Sequence, residues 1–182
     1  GSSWKMATHP QAHAQLKPEA AKDYDVLVLY DMPQKISDEA KADFVALLAA
    51  GKPLVALHHC LGAYNDWDEY TKIIGGRYLH RKTTIEGTAY TPSTFKEGVD
   101  ITLHPLDPAQ PVTRGLGDFK VHDEVYGKCY VAKDVTPLLT TAAPGCTPTV
   151  GWTHHYGASQ VVYLMQGHGP GAWNEPHWRQ LL

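Results

Sequence analysis

The chain has 182 residues, 43% of them hydrophobic and 19% charged, which suits one folded domain and argues against disorder. A net charge of −3 makes it a poor partner for nucleic acid or an anionic membrane surface, and no apolar run approaches the roughly 20 residues of a membrane span. The unusual residue is histidine, with 11 copies, more than any aromatic type.

Cysteine and targeting signals say less. Cys60, Cys129 and Cys146 lie far apart and form no C-x-x-C, so neither a disulfide framework nor a cysteine zinc site is indicated. No signal-peptide h-region is present in the given chain, which favours the cytoplasm.

In chain order, only residues 4–8 offer an early strand. Residues 25–30 (DVLVLY) read as a strand buried on both faces, as in a parallel sheet. Ser37 is placed to cap a helix whose first turn carries Asp38 and Glu39, whose apolar stripe is Ala40, Phe44, Leu47 and Leu48, and whose C′ residue is Gly51. Residues 53–57 (PLVAL) read as the next strand. This strand–helix–strand unit predicts an α/β fold with a parallel sheet. His58-His59-Cys60-Leu61-Gly62 then stands at a strand's carboxyl end, where open α/β sheets bind ligands. Residues 63–74 resume a helical pattern that Gly75-Gly76 stops.

Further along, residues 83–91 and 99–103 read as strands of a small antiparallel excursion. Residues 135–141, 149–154 and 160–166 read as strands, the last two joined by a tight Gly157-Ala158 connection. Gly167-His168-Gly169-Pro170-Gly171 is a loop whose glycines let backbone approach a ligand. Asn174 is placed to cap a last helix through Trp178 and Leu182.

Several stretches together resemble the ThuA-like domain, named for a trehalose-utilisation protein. They are residues 24–29 (YDVLVL), 51–58 (GKPLVALH), 75–78 (GGRY) with His80, 111–116 (PVTRGL), 123–126 (DEVY), 148–152 (PTVGW), and Gly167-His168 with Trp173 and Pro176. The resemblance implies a flavodoxin-like three-layer sandwich with a mainly parallel sheet, related to class I glutamine amidotransferases. It also implies a link to trehalose and other glycoside metabolism. On this reading the 182 residues form one ThuA-like domain that looks short at both ends, lacking the usual first strand and the end of the last helix.

The amidotransferase relationship sets Cys60 at a nucleophile position and His168 after a late strand. Pro170, however, stands where that family's glutamate would orient the histidine. Other residues have bland alternatives: Cys60 as an inert buried thiol, His58 as a satisfied core histidine, and Asp123-Glu124 as a solvated turn. His59, next to His58, should point away from it. Trp67, Trp152, Trp173 and Trp178 read mainly as packing, and His9, His13 and His177 as surface.

The candidate catalytic residues are therefore His58, Glu124, His168 and Cys60, and the candidate substrate-binding residues are His80, Tyr126 and Trp173. Imidazole titrates near neutrality, which suits His58 and His168 to proton transfer with Glu124 as carboxylate partner. Histidine with carboxylate also suits Zn²⁺ or a similar divalent metal. No H-E-x-x-H or tight H-x-H fixes such a site, so the cofactor stays unassigned, with His58, Glu124 and His168 as candidate ligands. The expected partner is a small-molecule carbohydrate, with homo-oligomer formation left open. The expected protein is an enzyme acting on a glycoside or keto-sugar; a Cys60-dependent hydrolase and a non-catalytic sugar-binding domain are the alternatives.

Overall fold

A computed structural model describes residues 7–8 and 11–182. The early strand expected at residues 4–8 lies outside the described residues except for Ala7 and Thr8, which are in no strand, and His9 also lies outside them.

The predicted strand–helix–strand unit is present. Strands β1 (Leu27–Leu29) and β2 (Leu54–Leu57) pair in parallel, Leu27 opposite Leu54 and Leu29 opposite Ala56. Between them runs α2 (Asp38–Ala49), after a short α1 (Pro18–Ala21). The Ser37 hydroxyl accepts the Ala40 N–H at 3.2 Å, and Ala40, Phe44, Leu47 and Leu48 are buried as their spacing requires. Gly51 sits in the left-handed region at φ +91°, beyond the helix end.

After β2 a 3₁₀ turn covers His58–Gly62, and α3 (Asp68–Ile74) starts later than the pattern from residue 63 suggests. The delay has a local cause: Trp67 is extended at φ −116°, and Tyr64 takes φ +45°. Gly75 ends α3 at φ +76°, and a Cβ on Gly76 would lie 2.8 Å from the Trp152 ring and 2.9 Å from the Tyr130 carbonyl oxygen. The glycine pair thus serves both the turn and the close packing on Trp152.

The remaining strands are β3 (Gly76–Arg77), β4 (Thr83–Ile85), β5 (Thr88–Tyr90), β6 (Thr94–Pro105), β7 (Phe119–Gly127), β8 (Tyr130–Val131), β9 (Thr136–Thr140), β10 (Thr149–Tyr156) and β11 (Ser159–Leu164). Two small pairs, β3–β8 and β4–β5, stand beside a seven-stranded sheet ordered β1-β2-β11-β10-β9-β6-β7. Helices α4 (Pro170–Trp173) and α5 (Pro176–Gln180) close the chain. Glu175, not Asn174, caps α5, accepting the His177 N–H at 3.0 Å.

The α/β class holds, but the mainly parallel sheet expected of a flavodoxin-like sandwich does not. Only β1–β2 and β2–β11 are parallel; β11–β10, β10–β9, β9–β6 and β6–β7 are all antiparallel. The two residues between β10 and β11 explain the first reversal, because a parallel return needs a crossover of a dozen or more residues. Gly157 takes φ +58° in that hairpin.

Two features of this sheet position a site. Parallel pairing of β2 with β11 sets Leu57 opposite Leu164, so the segments that follow, beginning at His58 and Met165, emerge side by side. The far-edge strand β7 nevertheless bonds to His58, so the sheet curls until its two ends converge. In the β6–β7 ladder the register shifts between Lys96 and Val99, which places a bulge opposite Glu124. There Asp123, Glu124, Val125 and Tyr126 are all buried, correcting the solvated-turn alternative for Asp123-Glu124.

Candidate active site

His58 follows the last residue of β2 and is fully buried at φ +42°, a conformation that strains a non-glycine residue by about 1–3 kcal/mol. Its Nδ1 lies 2.5 Å from the Met165 carbonyl oxygen, which can only accept, so Nδ1 carries the proton. Nε2 is thereby turned to the Glu124 carboxylate at 2.8 Å and the Tyr126 hydroxyl at 2.9 Å. A neutral His58 presents a lone pair to Glu124, so a proton must sit between the two for them to bond.

Burial pushes the Glu124 carboxyl up, but the hydrogen bond and charge of His58, with His168 and Tyr126 behind them, outweigh it and hold the group below the usual carboxylate range. Tyr126 is pushed far up, first by burial and then by the Glu124 charge, so it keeps its proton as a donor.

His59 does not point away as its place beside His58 suggests. Its ring lies 4.4 Å from the His58 ring and 5.3 Å from that of His168. The positive φ of His58 and the 3₁₀ turn that follows turn successive side chains toward one place, which simple strand alternation does not anticipate. Burial, then the neighbouring His58 and His168, hold the His59 imidazole below its ordinary pKa.

The His168 ring is 5.2 Å from that of His58. Its loop is fixed by Asp123, whose carboxylate accepts the backbone N–H groups of Gly167 at 2.6 Å, His168 at 3.2 Å and Gly169 at 3.0 Å. Strand alternation in β7 sends Asp123 to this loop and Glu124 to His58, so the two adjacent carboxylates have separate tasks. Gly171 allows α4 to approach β7, since a Cβ there would stand 2.0 Å from the His122 carbonyl oxygen.

His58, His59, Glu124 and His168 each offer one ligand atom, and the four atoms lie within 4.8 Å of one another. Three of the four (His59, Glu124 and His168) also line an open cavity of about 250 Å³. Met32, Tyr78, His80 and Phe95 wall the same cavity, together with Tyr126. The His80 Nε2–H donates to the Gly62 carbonyl at 2.9 Å, which leaves Nδ1 as an acceptor. Phe95 is 61% exposed. A hollow of about 310 Å³ beside Gln34, Tyr64 and Trp67 is larger but contains none of the clustered imidazoles, so the smaller one is the candidate site.

Three sequence candidates fall outside the cavity walls, and His58, buried behind Glu124, is the first. Trp173 stands behind the His168 loop, its indole N–H donating to the Gly167 carbonyl at 2.8 Å and its ring against Tyr30, so it supports the loop and is no cavity wall. Cys60 is buried among core side chains, and burial pushes its thiol up to about 12, which removes the thiolate a nucleophile needs. Conversely, sequence reasoning missed His59, Phe95, Met32, Tyr78 and the anchoring role of Asp123. Tyr78 lay inside a quoted motif, whereas nothing local in the sequence marked Phe95.

Several solved structures share this chain's fold at low identity. A ThuA-like protein from Parabacteroides merdae aligns with TM-score 0.70 and 18% identity over 88% of this chain and 67% of its own. A ThuA-like protein from Bacteroides uniformis aligns with TM-score 0.67 and 19% identity over 93% and 70%. A cytoplasmic protein from Salmonella typhimurium gives TM-score 0.65 and 14% identity over 96% and 73%. No curated protein sequence matches. The ThuA family model, described as trehalose utilisation, matches residues 2–182. The chain therefore belongs to the ThuA family.

Proposed function

We propose that this protein is an enzyme of carbohydrate metabolism that acts on trehalose, another glycoside or a keto-sugar by proton transfer at His58, Glu124 and His168. The observation that carries this reading is the 2.8 Å bond from His58 Nε2 to Glu124, with Nδ1 already committed to Met165, at the floor of a cavity. Glu124 lines that cavity and is held ionised, as a base must be. His58 lies behind it, out of contact with solvent, and steadies the carboxylate through the Nε2 bond.

With a keto-sugar bound, Glu124 takes the proton from the carbon next to the carbonyl, the C–H electron pair becomes a C=C bond, and the carbonyl π pair moves onto oxygen to give an enolate. His168 and the Tyr126 hydroxyl, both at the cavity wall, donate to that oxygen. Phe95 and Tyr78 offer aromatic surface to the sugar's C–H face, and His80 Nδ1 an acceptor for a hydroxyl. In this reading the chain acts as one ThuA-like domain in the cytoplasm, the compartment named for its Salmonella neighbour.

The test is turnover of a panel of disaccharides and keto-glycosides by the wild type and by His168→Ala. A wild type that turns over one of them, with loss in the variant, supports the assignment. Full turnover by His168→Ala removes His168 from the mechanism, and binding without turnover by the wild type would indicate a sugar-binding domain instead.

A further inference from the structure

We infer that His58, His59, Glu124 and His168 form a mononuclear site for a first-row divalent transition metal. Its ligands would be His58 Nε2, one ring nitrogen each of His59 and His168, and a Glu124 carboxylate oxygen. The inference concerns the ion alone and does not depend on what the cavity takes as substrate.

Spacing comes first. The four ligand atoms lie within 4.8 Å of one another. Ligands about 2.0–2.1 Å from a tetrahedral ion are separated by about 3.4 Å, so small side-chain rotations close the set.

The ligands are also supported from behind. A metal-binding histidine usually donates its other ring N–H to a carbonyl or carboxylate, which fixes the tautomer. His58 does this through Nδ1 to Met165, so its Nε2 lone pair is aimed into the cluster. His168 is held through its backbone by the Asp123 carboxylate. The strained φ of His58 is what brings two consecutive imidazoles to one point, an arrangement that a merely structural turn does not require.

The cluster is also accessible. His58 is fully buried, whereas His59, Glu124 and His168 line the open cavity, so an ion has a route in, and expansion to a fifth coordination position would face the cavity. Ligand type sets the class of ion. Three imidazoles and one carboxylate suit Zn²⁺, Co²⁺, Ni²⁺ or Fe²⁺, whereas Mg²⁺ and Ca²⁺ take oxygen ligands. An ion held here would take the place of the proton between His58 Nε2 and Glu124, leave the second Glu124 carboxylate oxygen as the base, and polarise a substrate oxygen or a bound water.

The experiment is titration of chelator-treated protein with Zn²⁺ and with Co²⁺, followed by calorimetry and by visible Co²⁺ absorption, with Mg²⁺ as control. The expected result is one transition-metal ion per chain, low-symmetry Co²⁺ bands, and no comparable response to Mg²⁺. Glu124→Gln, His59→Gln and His168→Gln should each weaken binding at least about 10-fold. His59 and His168 are only partly buried, so their variants should keep the wild-type circular dichroism, and exposed His122→Gln and His177→Gln should bind as the wild type does. No stoichiometric binding, or equal affinity in all three cluster variants, overturns the inference. Because the readout is binding, such a failure is distinct from a failure of turnover.

Discussion

The Asp123 carboxylate fixes His168 without touching its ring: it accepts the His168 backbone N–H at 3.2 Å and those of Gly167 at 2.6 Å and Gly169 at 3.0 Å. Asp123→Ala would leave the buried Gly167 donor and the part-buried His168 and Gly169 donors without this partner. The expected cost is about 2 kcal/mol, a fall in Tm of roughly 4–8 °C for a chain of this size. Turnover should fall mainly in kcat, because the His168 ring is displaced while the cavity walls remain. Calorimetry and steady-state kinetics check both, and Asp123→Asn should recover part of the stability through its one remaining acceptor oxygen.

Gly171→Ala probes the same loop from the other side. The added Cβ would fall 2.0 Å from the His122 carbonyl oxygen, so α4 must move off β7. Overpacking of this kind costs about 1–3 kcal/mol. The displaced α4 follows directly on the His168 loop, so activity should drop further than the melting temperature alone would explain.

Phe95→Ala should behave in the opposite way. The side chain is 61% exposed, so stability should stay within about 0.5 kcal/mol of the wild type. Loss of an aromatic contact with the sugar is worth about 1 kcal/mol, which is a rise in KM of roughly fivefold with kcat little changed. An unchanged KM would remove Phe95 from substrate contact.

His154 supplies a pH dependence outside the site. It is buried with Nε2 bonded to the Ile73 carbonyl at 3.0 Å, and burial lowers its pKa from the ordinary 6.5 despite that bond. The unfolded chain therefore binds the proton more readily than the fold does. The contribution is fully present above the unfolded value and declines as pH falls below it toward the folded value. Tm should drop between about pH 7 and pH 5, and His154→Gln should make that slope shallower. His59 is shifted in the same direction, so some slope should remain.

The thiols give a simple negative prediction. Burial pushes Cys60 and Cys146 up to about 12 and Cys129 up to about 11. In native protein at pH 8, iodoacetamide should label all three slowly, and denaturant should make all three reactive. Fast, selective alkylation of native Cys60 would revive the nucleophile reading.

Part of this architecture was legible in the sequence because it is local. The Ser37 cap, the Phe44 and Leu48 stripe and the two apolar strands define the β1–α2–β2 unit without help from the rest of the chain. His58 and Glu124 were legible through motifs, and His168 through its glycines. What stayed hidden depends on long-range pairing. Strand β7 reads poorly because four consecutive residues, Asp123 to Tyr126, are buried, so the polar–apolar alternation of a half-buried strand is missing. His59 was misplaced because its direction depends on the unusual φ of the residue before it. The antiparallel half of the sheet was hidden too, because only the Gly157-Ala158 connection is tight and the other antiparallel pairs form over longer stretches of chain. Among the described residues no helix is long and apolar enough to cross a membrane, in line with the absence of long apolar runs.

The proposed chemistry rests on the His58–Glu124 pair, bonded at 2.8 Å beside the cavity. Glu124→Gln keeps the shape and removes the base. On whichever sugar the wild type turns over, kcat/KM of this variant should fall by about 10²–10⁴-fold while the circular dichroism spectrum is unchanged. A folded Glu124→Gln protein with kcat/KM within about twofold of the wild type, well short of the loss expected on removing a general base, would contradict the account.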